Sequence, residues 1–296
     1  MAILAVGLLA LIAIFFPESQ AAVRVWIDST AYGHCFLVVP IAIYLIWERR
    51  GAITGLRPRA APAALLLGIP LAVMWLAAER LGIMEGRQLA ALGFVELLFL
   101  VVLGWELYWA LLGPLLYLVF LVPFGAFITP ALQSFTAQFI DLGLSALGIS
   151  HYVSDLVIEI SAGTFFVAEA CAGLRFLIAS IAFGVFYALL NYQSMGRRTF
   201  FITLSIVVPI VANGLRALGI VLLGHILGSA EAAAADHIIY GWVFFSIVML
   251  LLVVAGMPLR EPPAQPRMVR PSTRDAVTGY PWAAAVVLLI AAVGPA

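Results

Sequence analysis

A thiol, a guanidinium and an imidazole together make a workable set for acyl transfer. This chain carries one of each at Cys171, Arg216 and His237, in a sequence where polar residues are scarce. The thiolate is the attacking species, and a neighbouring cation or a helix N-terminus keeps it ionised. An imidazole moves protons near neutral pH. A guanidinium presents fixed donors to a developing oxyanion or grips a substrate carboxylate. Each residue also has a plain structural reading. Cys171 could be a small packing residue, Arg216 could pair with an acid such as Glu169, and His237 could cap a helix.

What favours the functional reading is where the three residues fall. Apolar residues make up 65% of the 296 residues, charged residues only 10%, and the mean hydropathy is +1.14. Soluble domains are about 45–50% apolar and about 25% charged. The composition excludes a soluble globular protein, a disordered chain, a nucleic-acid binder and an outer-membrane barrel. It predicts an all-α polytopic membrane protein of about eight spanning helices, since each span needs about 20 apolar residues.

The expected helices run over about 2–16, 33–47, 61–78, 89–103, 109–128, 172–190, 199–228 and 238–257. Residues 1–257 then form a transmembrane domain, and the Pro/Arg-rich stretch 258–281 is a linker. Residues 282–296 begin a further helix, as if the chain led on to another domain. Lysine is absent, so arginine alone reports orientation. With the N-terminus in the cytoplasm, inside loops hold ten arginines, outside loops three, and helices the remaining two, Arg175 and Arg216. That bias is the positive-inside pattern.

In this frame Cys171 and His237 open helices at the outer face. Arg216 lies 17 residues along a helix that starts inside near Thr199, about 25 Å up a core of about 30 Å. Three residues distant in sequence thus share one depth. An arginine within a span is costly unless paired, and so is a functional candidate.

The segment between the fifth and sixth helices does not read as a span. Residues 130–147 suit an outward-facing amphipathic helix lying on the interface, with Leu132, Phe135, Phe139, Leu142 and Leu147 on its apolar side. Residues 152–171 alternate β-branched and polar side chains around a glycine turn, which reads as a short β-hairpin. Asp155 and Glu159 would then share one face.

Supporting polar residues are fewer. Asn213 lies at i−3 from Arg216 and shares its helix face. Glu169 could orient Arg216 or His237. Arg175 is one turn beyond Cys171, where it could pair with Glu169 or a lipid headgroup. Cys35 and His225 read as structural, and Trp105, Tyr108, Trp109 and Trp282 as interfacial aromatics. No CxxC pair, Walker, Rossmann or H-E-x-x-H pattern occurs, and no metal or cofactor is expected.

The stretch Val167-Ala-Glu-Ala-Cys-Ala-Gly-Leu-Arg-Phe176 resembles the cysteine motif of the exosortase/archaeosortase family, and the chain looks closest to its exosortase A type. Asn213-Gly-Leu-Arg216 resembles the family's N-x-x-R motif. Asp236-His-Ile-Ile-Tyr-Gly-Trp242 resembles its histidine motif, with Gly241 one turn after His237. Trp26-Ile-Asp-Ser-Thr-Ala-Tyr-Gly-His34 and Trp47-Glu-Arg-Arg50 are similar to its N-terminal region. One position departs: the family usually has serine after the cysteine, where this chain has Ala172.

The resemblance implies a membrane-embedded cysteine protease or transpeptidase of the bacterial inner membrane, with its site facing the periplasm. Cys171 would be the nucleophile, Arg216 the oxyanion or orienting cation, and His237 the acid/base. Glu169, Arg175, Asn213, Asp236 and Gly241 would support them. The implied substrates are exported proteins carrying a C-terminal Pro-Glu-Pro motif, a membrane helix and a basic tail, often alongside exopolysaccharide production. The competing classes are a transporter and a non-catalytic subunit for exopolysaccharide or envelope assembly. Against transport, the sequence shows no inverted repeat and few intramembrane acids.

Overall fold

The computed structural model describes residues 2–228, 237–262 and 281–292, and for residues 237–240 the backbone alone. Among them the chain is mainly helical, as expected of an all-α polytopic membrane protein. Five helices are long and apolar enough to cross a membrane, or seven if each of two bent pairs is one span; eight were anticipated. The described residues fall into two compact units. One holds residues up to Phe124 together with Pro281–Ala292, the other the residues from Gly125 onward to Pro262.

The first unit contains α1 (Ala2–Ile14), α2 (Phe16–Asp28), α3 (Cys35–Glu48), α4 (Arg50–Ile53), α5 (Gly68–Leu81), α6 (Met84–Leu103), α7 (Trp105–Ala110) and α8 (Leu112–Leu116). Helix α6 is its centre. Phe94, Leu97, Leu98 and Val101 of α6 are buried with Leu4 and Leu11 of α1, Trp75 of α5 and the later residues Ala283, Ala284 and Val287.

Two expectations fail in this unit. The first helix was expected to stop at Pro17, leaving a loop. Instead the chain turns by 82° and continues as α2. Proline is tolerated in a helix's first turn, where its missing N–H would have no partner anyway. The fifth helix, expected over 109–128, is broken into α7, α8 and 3₁₀ turns at Tyr117–Leu121 and Ala126–Ile128. Val122 is extended (φ −79°, ψ 122°), the conformation that a following proline, Pro123, imposes.

The second unit contains α9 (Thr129–Ala146), three strands, α10 (Leu174–Asn191), α11 (Met195–Leu227) and α12 (His237–Gly256). The final apolar run, α13 (Pro281–Ala292), belongs to the first unit, while the expected linker over 258–281 lies mostly outside the described residues.

The expected hairpin is an antiparallel three-stranded meander: β1 (His151–Ser154), β2 (Val157–Ile160) and β3 (Gly163–Phe166). Strand β2 shows the period-2 pattern that makes it a strand, with Ile158 and Ile160 buried and Glu159 exposed. Asp155 does not share a face with Glu159. It sits in the β1–β2 turn at φ +53°, a left-handed conformation that Asp tolerates better than most residues.

Helix α9 spans Thr129–Ala146, where the amphipathic helix was expected. Of the five residues assigned to its apolar face, only Leu132 is buried, and Phe135, Leu142 and Leu147 are exposed. The buried face runs through Leu132, Gln133, Thr136, Ala137, Ile140 and Leu144. It packs with Ile158 and Ile160 of β2 and with Ala217 and Val221 of α11. Two glycines let α9 and α11 approach: a Cβ at Gly214 would press on the Phe139 ring (2.8 Å), and one at Gly143 would overlap Leu218. The helix is therefore held by protein on a face that the sequence reading did not assign, while Phe135, Leu142 and Leu147 point away from it.

Candidate active site

Cys171 closes a 3₁₀ turn, Glu169–Cys171, that links β3 to α10. The thiol is half-buried and free. Ala172 and Gly173 then lead into α10. Gly173 adopts φ +81°, and a Cβ there would lie 2.5 Å from Cγ of Asn213. Glycine alone suits this position, both for its left-handed backbone and for the space that Asn213 occupies.

Asn213 is the hub. It is 4% exposed. Its Nδ2 donates to the Cys171 carbonyl at 2.8 Å and, more weakly, to Thr136 Oγ1 at 3.4 Å. Its Oδ1 accepts from Arg216 Nη2 at 3.1 Å. One side chain thus fixes the backbone under the thiol and the guanidinium together.

Arg216 completes the pair. Its guanidinium lies close enough to Cys171 for electrostatic attraction between them. Its Nε is buried and, among the described residues, has no hydrogen-bond partner. From Met195, the start of α11, Arg216 lies 21 residues along, a rise of about 32 Å. Arg216 thus lies about two-thirds of the way along the helix, 11 residues before Leu227.

An aromatic floor lies beneath. The guanidinium carbons of Arg175 and Arg216 stand 5.7 and 5.8 Å from the centroid of Phe176. Phe245 of α12 stacks on the same ring at 4.6 Å. Gly241 of α12 also faces this group, and a Cβ there would be 3.8 Å from Arg216 Nη1 and 3.7 Å from Phe176. Helix α12 therefore runs beside the guanidinium, and its first residue is His237, one turn before Gly241.

The sequence candidates are thus placed as follows. Cys171, Arg216 and Asn213 are brought together, with Arg175 and Gly241 at the same cluster. Glu169 is exposed and, among the described residues, makes no ion pair with Arg175 or Arg216. Asp236 and the His237 side chain lie outside the described residues.

Sequence reasoning missed Gly173, Thr136 and Gln133. Gln133 Nε2 donates to the Val167 carbonyl at 2.8 Å, pinning the strand exit that leads to Cys171. Gly173 was visible inside the cysteine motif, whereas Gln133 and Thr136 share a helical face that shows as buried only once α9 is docked. Gln133 also lines a polar cavity of about 300 Å³ with Ser134, Gln138, Asp141 and Asp155.

The model of the transmembrane exosortase family matches residues 26–254, more than three quarters of the chain. The chain belongs to the transmembrane exosortase family. No match was found among curated proteins or solved structures. The matched span takes in Cys171, Asn213, Arg216, His237 and Gly241, and so covers every element that builds the cluster. Family membership and the apolar helices make this a multi-pass membrane protein of exosortase type.

Proposed function

We propose that the chain is a cysteine peptidase or transpeptidase that processes the C-terminal sorting signal of exported proteins. The observation that carries this reading is the Cys171–Asn213–Arg216 arrangement. A thiol lies beside a guanidinium, and a buried amide binds the Cys171 backbone carbonyl and the guanidinium together.

The chemistry follows from those roles. His237 takes the Cys171 thiol proton, and the sulfur attacks the carbonyl carbon of the scissile peptide. The carbonyl oxygen becomes an oxyanion, which accepts hydrogen bonds from Arg216, whose Nε has a donor to spare. Collapse expels the amine, and His237 gives it a proton. A thioester to Cys171 remains. Water or an acceptor amine then attacks it, releasing the product and restoring the thiol.

The substrate in this proposal has a Pro-Glu-Pro motif, one membrane helix and a basic tail. Arg175, over the same ring as Arg216, is the cation that meets the motif's glutamate. The arginine asymmetry supports a cytoplasmic N-terminus in a bacterial inner membrane and a site facing the periplasm. Residues 1–257 act as the exosortase domain, with Asp236 and Gly241 shaping the His237 end.

The test is co-expression with a substrate bearing the signal, comparing wild type with Cys171→Ala, Arg216→Ala and His237→Ala at equal protein levels. Processing is expected to be lost in all three. Normal processing by Cys171→Ala would refute the enzyme reading and leave a non-catalytic assembly role.

A further inference from the structure

The first unit holds a cavity of about 590 Å³ that the chemistry at Cys171 does not use. Its wall is almost wholly apolar and includes Leu11, Phe15, Ala42, Val95, Phe99 and Leu115. The volume lies within the range of about 300–1,000 Å³ typical of small-molecule sites.

Three polar side chains interrupt this wall, Ser19, Glu18 and Gln88, the last two being 1% and 6% exposed. Glu18 Oε1 accepts from Arg87 at 2.9 and 2.6 Å and from Trp75 Nε1 at 3.1 Å. Glu18 Oε2 is buried and, among the described residues, accepts nothing. Gln88 Nε2 donates to the Glu18 carbonyl, while Gln88 Oε1 is likewise buried without a donor. Buried acceptors without donors are rare in folded proteins and call for an explanation. Arg87 also pairs with Glu79 at 2.5 Å, so the group Glu18, Glu79 and Arg87 carries one surplus negative charge.

We propose that this cavity binds one hydrocarbon chain of an amine-headed phospholipid, whose ammonium donates to Glu18 and Gln88. The apolar wall takes the chain. The surplus charge and the two orphan acceptors select a cationic N–H donor. Both oxygens are shielded, so the ammonium reaches them on rotation of the carboxyl or amide group. A peptide helix about 10 Å across fills on the order of 800 Å³ over two turns, which makes a single acyl chain the better fit.

The full-length protein, purified in neutral detergent, is mixed with equimolar dioleoyl phosphatidylethanolamine, phosphatidylcholine and phosphatidylglycerol, and retained lipid is read by native mass spectrometry. Phosphatidylcholine has the same chains and a cationic head but no N–H. Wild type is expected to retain the ethanolamine lipid about tenfold over the other two, the ratio that one charge-assisted hydrogen bond supplies. Glu18→Gln and Gln88→Leu are each expected to shrink that ratio severalfold. Ala42→Trp, which fills the cavity, should reduce all bound lipid. Equal retention of ethanolamine and choline lipids by wild type would overturn the proposal, as would undiminished retention by Ala42→Trp. If Glu18→Gln does not fold, Gln88→Leu decides the point, because it leaves the Glu18–Arg87 pair intact. Substrate processing is not a readout, so the result stands apart from the reading of Cys171.

Discussion

Replacing Gly173 with alanine adds one methyl group at the point where the site is most tightly built. The added Cβ would lie 2.5 Å from Asn213 Cγ and 2.8 Å from both terminal atoms of that amide. Alanine at φ +81° costs about 1–2 kcal/mol by itself. The larger cost is the displaced amide. Its bond to the Cys171 carbonyl is worth about 0.5–1.5 kcal/mol, and its charged contact with Arg216 about 1.5–3 kcal/mol. Together these give a destabilisation of about 3–6 kcal/mol at one corner of the unit. The thiol and the guanidinium would also lose their common anchor, and a misplacement of about 1 Å costs on the order of 100-fold in rate.

The assay is the processing rate of a co-expressed substrate, with melting temperature measured on the purified protein. Asn213→Ala is made alone and in combination with Gly173→Ala. If the clash is with Asn213, the double variant is worse than Asn213→Ala only by the backbone cost of about 1–2 kcal/mol, because the alanine then meets empty space. Strong non-additivity is therefore expected. Near-wild-type processing by Gly173→Ala at normal protein levels would refute the reasoning. So would simple additivity of the two substitutions.

Two further outcomes are expected. Gly143→Val drives a side chain into Leu218 and should destabilise the α9–α11 contact by about 1–3 kcal/mol; a lower melting temperature, partly restored by Leu218→Ala, checks this. His151 bonds the Ile149 carbonyl at 2.7 Å and Asp141 at 2.8 Å, and these contacts, the carbonyl first, raise its pKa. The stability it contributes is therefore fully present below the ordinary imidazole value of about 6.5 and is lost as pH rises through the raised folded value. The melting temperature of wild type should fall across that window, and His151→Gln should flatten the fall.

Much of the site was legible because charge is so scarce in this chain. Against an apolar background, Cys171, Arg216 and His237 stand out. A rise of 1.5 Å per residue puts Arg216 at a calculable depth, and the helical period puts Asn213 beside it. The meander was half legible. The alternation in β2 is plain, but the turn at Asp155 holds no glycine, so a three-strand sheet was read as a hairpin.

The composition and the arginine pattern by themselves determined that this is a polytopic helical protein and which residues are chemically exceptional. They could do so because burial in lipid penalises every charge in the same way, wherever neighbouring helices pack. The face of α9 was decided by tertiary structure. Gln133 and Thr136 can be buried only because the Val167 carbonyl and the Asn213 amide meet them there, and no one-helix reading can supply those partners. The same holds for Gly173 and Asn213, separated by 40 residues in sequence yet in contact in space. A single methyl group would force them apart, and that constraint exists only once α10 and α11 are packed together.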